Sequence, residues 1–325
     1  MNKTIVEKMN LLGKERTPFF FMVDYKGEEG MVVPISELDS SKIRYDFNGV
    51  SNVSGDNDLK SSVHKVDLKS YPLPITSFQK SFDTVKDGLL YGDSFLTNLT
   101  MKTPIEISIG LEEIFDRAHA KYRLLLEDQF VCFSPEIFVQ IKDGKIASFP
   151  MKGTIDATLP NAEEKILNDY KETSEHFTIV DLIRNDLSSV ASKVRVKRFR
   201  YIDHLKTQKG ELLQVSSHIE GSLSDDYHKN LGTIFSKLLP AGSITGAPKK
   251  KTCEIIERAE PSQRGYYTGV AGIYDGTNLD SMVMIRFIAK EADRYFFHSG
   301  GGITAMSDMK SEYQELIDKI YVPIY

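Results

Sequence analysis

Strand-like segments that return again and again after short polar turns constrain this chain more than any other feature. They run over Pro18–Asp24, Gln129–Phe133, Ile137–Ile141, Lys145–Phe149, Leu212–Ile219, Tyr266–Ile273, Ser281–Ala289 and Arg294–His298. Turns such as Lys142-Asp143-Gly144 and Glu291-Ala292-Asp293 are the signature of antiparallel hairpins. Helix-like segments fall between them without regularity, at Glu112–His119, Asn161–Leu167, Asp169–Arg184, Leu231–Leu238, Pro248–Ala259 and about 307–320. A steady strand–helix alternation would give a parallel doubly wound sheet; this mixture predicts an α+β domain with antiparallel sheets. Lys193–Lys206 alternates charge with Val194, Val196, Phe199 and Tyr201, which predicts an exposed strand with a basic outer face. Residues 26–75 are polar and poorly periodic, and Ser51–Asp58 reads as a surface loop.

Size and composition set the outer bounds. A chain of 325 residues can build a large core, as one big domain or two smaller ones. No apolar run approaches the roughly 18 residues a membrane-spanning helix needs. The N-terminus, Met1-Asn2-Lys3-Thr4-Ile5-Val6-Glu7-Lys8, has no hydrophobic signal core, so a cytoplasmic protein is expected. Cys132 and Cys253 are too few for a disulfide framework and lack metal-ligand spacing. A net charge of −5 argues against nucleic acid as the main partner.

The chemistry is concentrated in the C-terminal two thirds. Gly300, Gly301 and Gly302 follow a predicted strand and precede a predicted helix carrying Glu312, Glu315 and Lys319. Spaced i, i+3 and i+4, those three side chains share one helix face. Two carboxylates, a lysine and bare backbone suit a divalent cation beside an anionic small molecule. In Phe149-Pro150-Met151-Lys152-Gly153-Thr154, Lys152 at a strand end becomes a nucleophile if desolvation lowers its pKa, since only the neutral amine attacks carbon. Gly153 and Thr154 add amides and a hydroxyl for a carboxylate. Glu136, in the turn Ser134-Pro135-Glu136, becomes a general acid or base if burial raises its pKa.

Glu175 opens a run whose apolar positions 179, 180, 182 and 183 fit a buried helix ending near Asn185, and it could supply a third metal ligand. Asp181 and Arg184 read as a structural ion pair. The loop Leu239–Lys249 delivers the chain into a helix at Pro248, where Thr245 and Gly246 could present donors to an anion. Arg264-Gly265-Tyr266-Tyr267 starts a strand and Arg286 lies in the next; a strand-borne guanidinium can clamp a carboxylate, with Tyr267 sharing it. Taken singly, each piece also reads as ordinary surface: a glycine-rich turn, a solvated lysine, a turn carboxylate. Together they describe a pocket for a small dianion, with a metal on one carboxylate and an arginine on the other.

The ordered set Ser134-Pro135-Glu136, Pro150–Thr154, Glu175-His176 to Asn185-Asp186, Pro240-Ala241-Gly242 to Lys249, Arg264-Gly265, Arg286, Gly300–Gly302 and Glu312-x-x-Glu315 resembles the chorismate-utilising enzymes. These include anthranilate, aminodeoxychorismate, isochorismate and salicylate synthases. The resemblance runs from about Gly92 to the C-terminus. It implies a single chorismate-binding catalytic domain over 1–325, with 1–91 a shortened N-terminal part and 92–325 the family core. The implied fold is two antiparallel sheets packed as a sandwich with helices outside.

The resemblance also implies Mg2+ on the ring carboxylate, held by Glu175 and Glu315 with Glu312 close, through water. It places Gly153 and Thr154 at the same end of the substrate. Arg286, Tyr267, Thr245, Gly300, Gly301, Gly302 and Lys319 fall to substrate binding, chiefly of the pyruvyl carboxylate. Glu136 matches the acid that assists departure of the C4 hydroxyl. Relatives that add ammonia or water at C2 typically carry alanine where this chain has Lys152; those resembling aminodeoxychorismate synthase carry lysine. There the amine attacks C2, and ammonia then attacks C4 and expels it, giving 4-amino-4-deoxychorismate on the way to 4-aminobenzoate and folate.

Two departures stand out. Relatives usually read His-Leu-Val-Ser where this chain has Gln214-Val215-Ser216-Ser217, which weakens an anthranilate reading and puts Gln214 in the pocket. The part before Gly92 is short and shows no counterpart of a tryptophan-binding motif. No Gly-x-Cys-x-Gly elbow occurs, so ammonia is expected from a separate glutamine amidotransferase subunit or from solution. The competing expectations are anthranilate or isochorismate synthesis and, in another class, a non-catalytic binding subunit.

Overall fold

The computed structural model describes residues 1–53, 66–207 and 210–324. Its first elements are α1 (Lys3–Lys14), β1 (Phe19–Val23), β2 (Gly30–Pro34), β3 (Ile43–Phe47), β4 (Val50–Ser51), β5 (Leu68–Ser70) and α2 (Ile75–Tyr91). There follow β6 (Leu96–Ile107), α3 (Leu111–Arg117), β7 (Tyr122–Leu126), β8 (Phe130–Ser134), β9 (Ile137–Lys142), β10 (Lys145–Ser148) and β11 (Met151–Asp156). After them come α4 (Ala162–Asn168), α5 (Tyr170–Ser188), β12 (Ser192–Thr207), β13 (Gly210–Ser222), α6 (Leu231–Leu238), β14 (Gly246–Ala247) and α7 (Lys249–Ala259). The chain closes with β15 (Val270–Tyr274), β16 (Leu279–Val283), β17 (Phe287–Glu291), β18 (Arg294–Ile303) and α8 (Met309–Asp318). Most of the expected Ser51–Asp58 loop lies outside the described residues; Ser51 itself pairs in β4.

The strands form two nine-stranded sheets. One runs β11–β13–β10–β9–β16–β15–β1–β2 with β12 also on β13; the other runs β14–β6–β18–β17–β8–β7–β3–β4 with β5 also on β6. Every strand pairing among the described residues is antiparallel, as with β1–β15, β10–β9, β12–β13 and β17–β18. The α+β expectation holds.

Strand β1, Phe-Phe-Phe-Met-Val, shows how the layers stack. All five residues are buried because both faces of the strand are covered. Phe19, Phe21 and Val23 pack with Ile5, Met9 and Leu12 of α1 and with Phe235 of α6. Phe20 and Met22 point the other way, onto Ile43, Tyr45, Phe47 and Tyr122 of the second sheet. That sheet is in turn covered by α2, α7 and α8, through Phe78, Phe82, Ile255 and Leu316 against Leu99 and Ile303. The result is helices, sheet, sheet, helices: two sheets face to face with helices outside.

Two corrections to the strand reading matter for function. The apolar run Ser281–Ala289 is not one strand but the end of β16 in one sheet and the start of β17 in the other. Arg286 therefore lies in a crossover between sheets, at φ 55, and not within a strand. Likewise Ser134-Pro135-Glu136 is no hairpin turn, because β8 and β9 belong to different sheets. The two crossovers run side by side. The Val283 amide donates to the Glu136 carbonyl (3.2 Å) and the Phe133 amide to the Arg286 carbonyl (3.0 Å).

His298 in β18 is buried against Tyr267 and Phe287, with ring centroids 5.0 and 5.6 Å away, and its Nε2 has no hydrogen-bond partner. Burial depresses its pKa to about 3, with Lys102 and Arg264 adding to the effect. The unfolded chain takes up this proton near the usual imidazole pKa of 6.5, whereas the folded protein refuses it. Stability is therefore full above that value and falls as pH drops toward the folded pKa. From this residue the loss between pH 7 and pH 5 is expected to be about 2 kcal/mol. Urea unfolding at the two pH values checks it: His298→Phe should narrow the gap, and an unchanged gap would assign the acid lability elsewhere.

Candidate active site

The paired crossovers deliver Glu136 and Arg286 to one place. Glu136 is half-buried and accepts a hydrogen bond from the Ser243 hydroxyl. Burial pushes its pKa up; Ser243, Lys152 and Arg286 pull the other way without cancelling the effect. A carboxyl biased toward its protonated form is what an acid for a leaving hydroxide requires. Ser243 lay in a motif noted in the sequence but was not singled out, since nothing sequential links it to Glu136. Behind the pair is a cavity lined also by Ser148, Asp186 and Gly242.

Lys152 is the second residue of β11, which Phe149 and Pro150 break from β10. Gly153 makes a bulge against β13, at φ 74, and a Cβ there would lie 3.1 Å from Glu172 Oε2, so both backbone and space call for glycine. The bulge turns Thr154, paired with Gln214, onto the face opposite Lys152, which pairs with Val215. Exposed Thr154 and half-buried Gln214 thus stand on the face away from the lysine, contrary to the pocket position expected of Gln214.

Helix α5 starts under an Asp169 cap whose side chain accepts the Glu172 amide (2.8 Å), and it carries Glu175 and His176 onto this sheet. The His176 Nε2 meets Ser217 Oγ at 2.7 Å. Ser217 Oγ also accepts the Arg200 amide at 3.0 Å. Burial, followed by Arg200 and Lys152, lowers the His176 pKa to about 4. That anchor presents Glu175 Oε2 to Lys152 Nζ at 2.9 Å. Farther along α5, Asp181 and Arg184 form the expected ion pair, at 2.6 Å.

The lysine differs from expectation. Burial works against its ammonium, but the Glu175 carboxylate, with Glu172 and Glu315 behind it, outweighs burial and raises the pKa. In this arrangement Lys152 is a cation. The residue whose pKa burial does lower is Lys319, against the pull of Glu315. Lys319 Nζ donates to Gly300 O (2.7 Å) and to Glu315 Oε1 (2.6 Å).

The three glycines do not follow a strand; they are its end, paired with Thr100, Leu99 and Asn98 of β6. They tie the site together by what replaces their missing side chains. A Cβ at Gly302 would lie 3.2 Å from Lys152 Nζ and 3.5 Å from Glu175 Oε2. One at Gly301 would lie 3.7 Å from both Glu312 Oε2 and Glu315 Oε1 and 3.8 Å from Lys319 Nζ. Adjacent residues of β18 face opposite ways, and what links the α8 groups to those of α5 is the charge of Glu315, which reaches Lys152. Among the described residues no three His, Cys, Asp or Glu side chains stand ready as a metal cluster. The carboxylates at Gly301 and Gly302 are nonetheless the hard oxygen donors Mg2+ takes, around a cradle that a Cβ would fill.

Arg286 is half-buried, with Nε 3.5 Å from the Tyr321 hydroxyl. Tyr267 is buried, and burial raises its pKa against the nearby charges of Arg264 and Arg286. Thr245 does not offer the donors expected of it: it is fully buried, its hydroxyl goes to Ala241 O (2.7 Å) and its amide to Gly242 O (3.2 Å). Its loop is clamped from outside by Lys249, which bridges Asp186 (2.7 Å) and Leu238 O (2.7 Å). Pro248 precedes α7 as its cap and not as its first residue.

Residues 40–324 match the family described as chorismate binding enzyme. A Haemophilus influenzae protein named only an uncharacterised PabA-like protein is 48% identical over 319 residues, 98% of this chain and 96% of that one. Aminodeoxychorismate synthase component 1 of Bacillus subtilis is 32% identical over 270 residues, 78% of this chain and 56% of that one. Among solved structures, anthranilate synthase component I of Streptococcus pneumoniae superposes with a TM-score of 0.63 at 25% identity, over 79% of this chain and 59% of that one. This chain thus spans little more than half the length of the two synthases. Among the described residues no helix is long and apolar enough to cross a membrane.

Proposed function

The chain belongs to the chorismate binding enzyme family, and from that membership we propose that it acts as an aminodeoxychorismate synthase component I. It would convert chorismate and ammonia to 4-amino-4-deoxychorismate and water, with ammonia supplied by a glutamine amidotransferase subunit or from solution. The observation that carries this reading is the amine of Lys152, set in the gap left by Gly302 and among the carboxylates of two helices.

In the proposed sequence, neutral Lys152 Nζ bonds to C2 as the C4–O bond breaks, and both ring double bonds shift, C1=C2 to C6=C1 and C5=C6 to C4=C5. Glu136 gives its proton to the departing hydroxide, which leaves as water. Ammonia then bonds to C4, both double bonds shift back, and the C2–N bond breaks to return Lys152 as an amine. The Glu136 carboxylate takes the surplus proton from the new ammonium, so the enzyme ends as it began. The Glu175 pairing that holds a proton on Lys152 has to open before attack. Mg2+, held by Glu175, Glu315 and Glu312, would neutralise the substrate's ring carboxylate. Arg286, Tyr267, Lys319 and the glycine backbone of β18 are left for the pyruvyl carboxylate.

One observation favours a second reading. As an ammonium, Lys152 could serve as a fixed charge for addition at C2, with anthranilate or isochorismate as product. Incubating the protein with chorismate, Mg2+ and ammonium, with and without aminodeoxychorismate lyase, separates the two. A Mg2+-dependent product that the lyase turns into 4-aminobenzoate is expected. Anthranilate or isochorismate would overturn the branch, and output indifferent to Mg2+ would remove the metal role of the three glutamates.

A further inference from the structure

Asn98 in β6 is held with unusual firmness by its backbone, while its side chain is left without employment. Its amide donates to Thr245 O (2.8 Å), and its carbonyl accepts from Nη2 of the buried Arg264 (2.7 Å). The carboxamide oxygen, by contrast, is buried with no hydrogen-bond partner. Buried polar atoms are rarely left so, and an orphan beside a reaction site calls for a ligand.

Position supports that reading. Asn98 pairs with Gly302 and Thr100 with Gly300, and cross-strand partners share a face of the sheet. On that face a Cβ at Gly300 would lie 3.3 Å from Asn98 Oδ1, and a Cβ at Gly302 would lie 3.2 Å from Lys152 Nζ. The orphan oxygen is therefore one pleat along β18 from the amine, over a strand stripped of side chains. The other groups beside Gly302, Lys152 and Glu175, already have partners in each other.

The chemistry of the ligand narrows the choice, given the reading of the protein as a chorismate enzyme. An orphan acceptor needs a donor. At neutral pH chorismate has two carboxylates and an ether, all acceptors, and a single O–H, at C4. We propose that Asn98 is the substrate-contacting residue that recognises the C4 substituent, its carboxamide oxygen accepting from the C4 hydroxyl of the substrate and then from the C4 amine of the product. It thereby selects a ring that carries a donor at C4.

The test is calorimetric titration of the full chain, without ammonia, with chorismate and with an analogue lacking the C4 hydroxyl. Asn98→Ala should weaken chorismate about threefold to tenfold, the span of one neutral hydrogen bond, and leave the analogue's affinity unchanged. Asn98→Asp, which keeps an acceptor at the same reach, should retain more of the preference for the hydroxyl than Asn98→Ala does. Equal weakening of both ligands, or no change in either, would overturn the assignment. Product identity does not enter this comparison, so an enzyme making anthranilate would defeat the proposed branch without touching the result for Asn98.

Discussion

Lys152→Ala is expected to lower formation of 4-amino-4-deoxychorismate by on the order of 10³-fold or more, as loss of a nucleophile does. The alanine variant alone is a blunt instrument, because it also strips Glu175, whose side chain is only 6% exposed, of its ammonium partner. Lys152→Arg sharpens the question. It keeps a cation beside Glu175 yet has no amine that can be deprotonated and attack carbon. If Lys152 forms a bond to C2, arginine should be as inactive as alanine. If the residue is only a fixed charge, arginine should keep much of the activity, and the covalent route would be refuted. A shift of the alanine variant toward products of addition at C2 would agree with the first outcome, since the rest of the site stays in place.

The same residue shows what a sequence conveys and what it withholds. A lysine before glycine, a turn carboxylate and an i, i+3 glutamate pair were legible because they are local patterns with chemical meaning. The protonation state of Lys152 was not, because it depends on Glu175, Glu172 and Glu315, brought in from elements far along the chain. Burial alone predicted a lowered pKa; three carboxylates reversed it. Glu136 went the other way, its burial prevailing over weaker opposing partners.

The fold divides similarly. Antiparallel pairing could be read from short turns, but Ser281–Ala289 is continuously apolar whether it is one strand or two. Only the presence of a second sheet splits it at Met284–Arg286. The long β6 was missed because its buried positions are largely Thr, Met and Leu interrupted by polar residues. With β6 unseen, Asn98 could not be recognised as a neighbour of the glycines. Helices α1 and α2 escaped for a related reason: their apolar stripes are diluted by lysines and serines, and packing onto the sheets decides them.

Arg264→Met is expected to destabilise the protein by about 3–5 kcal/mol, the cost of leaving one member of a buried ion pair uncompensated. Its side chain is 2% exposed and that of Glu260 5%. The two are bidentate, at 2.9 and 2.6 Å, and Glu260 Oε1 also accepts the Thr100 amide at 2.8 Å. The same guanidinium reaches Ile244 O (2.8 Å) and Asn98 O (2.7 Å) and lies 4.4 Å from the centre of the Tyr25 ring. One side chain thus fastens the end of α7, the Leu239–Lys249 loop, β6 and the segment after β1. Denaturant unfolding measures the loss. The double variant Arg264→Met, Glu260→Leu should recover much of it, because the stranded charge goes too, although the Thr100 amide loses its acceptor. A single-variant loss under about 1 kcal/mol would mean that water reaches Glu260 and that the pair is not the clamp. Where the clamp does fail, the effect should reach the substrate: with Asn98 and Ile244 no longer held, chorismate should bind more weakly even under conditions where the variant remains folded.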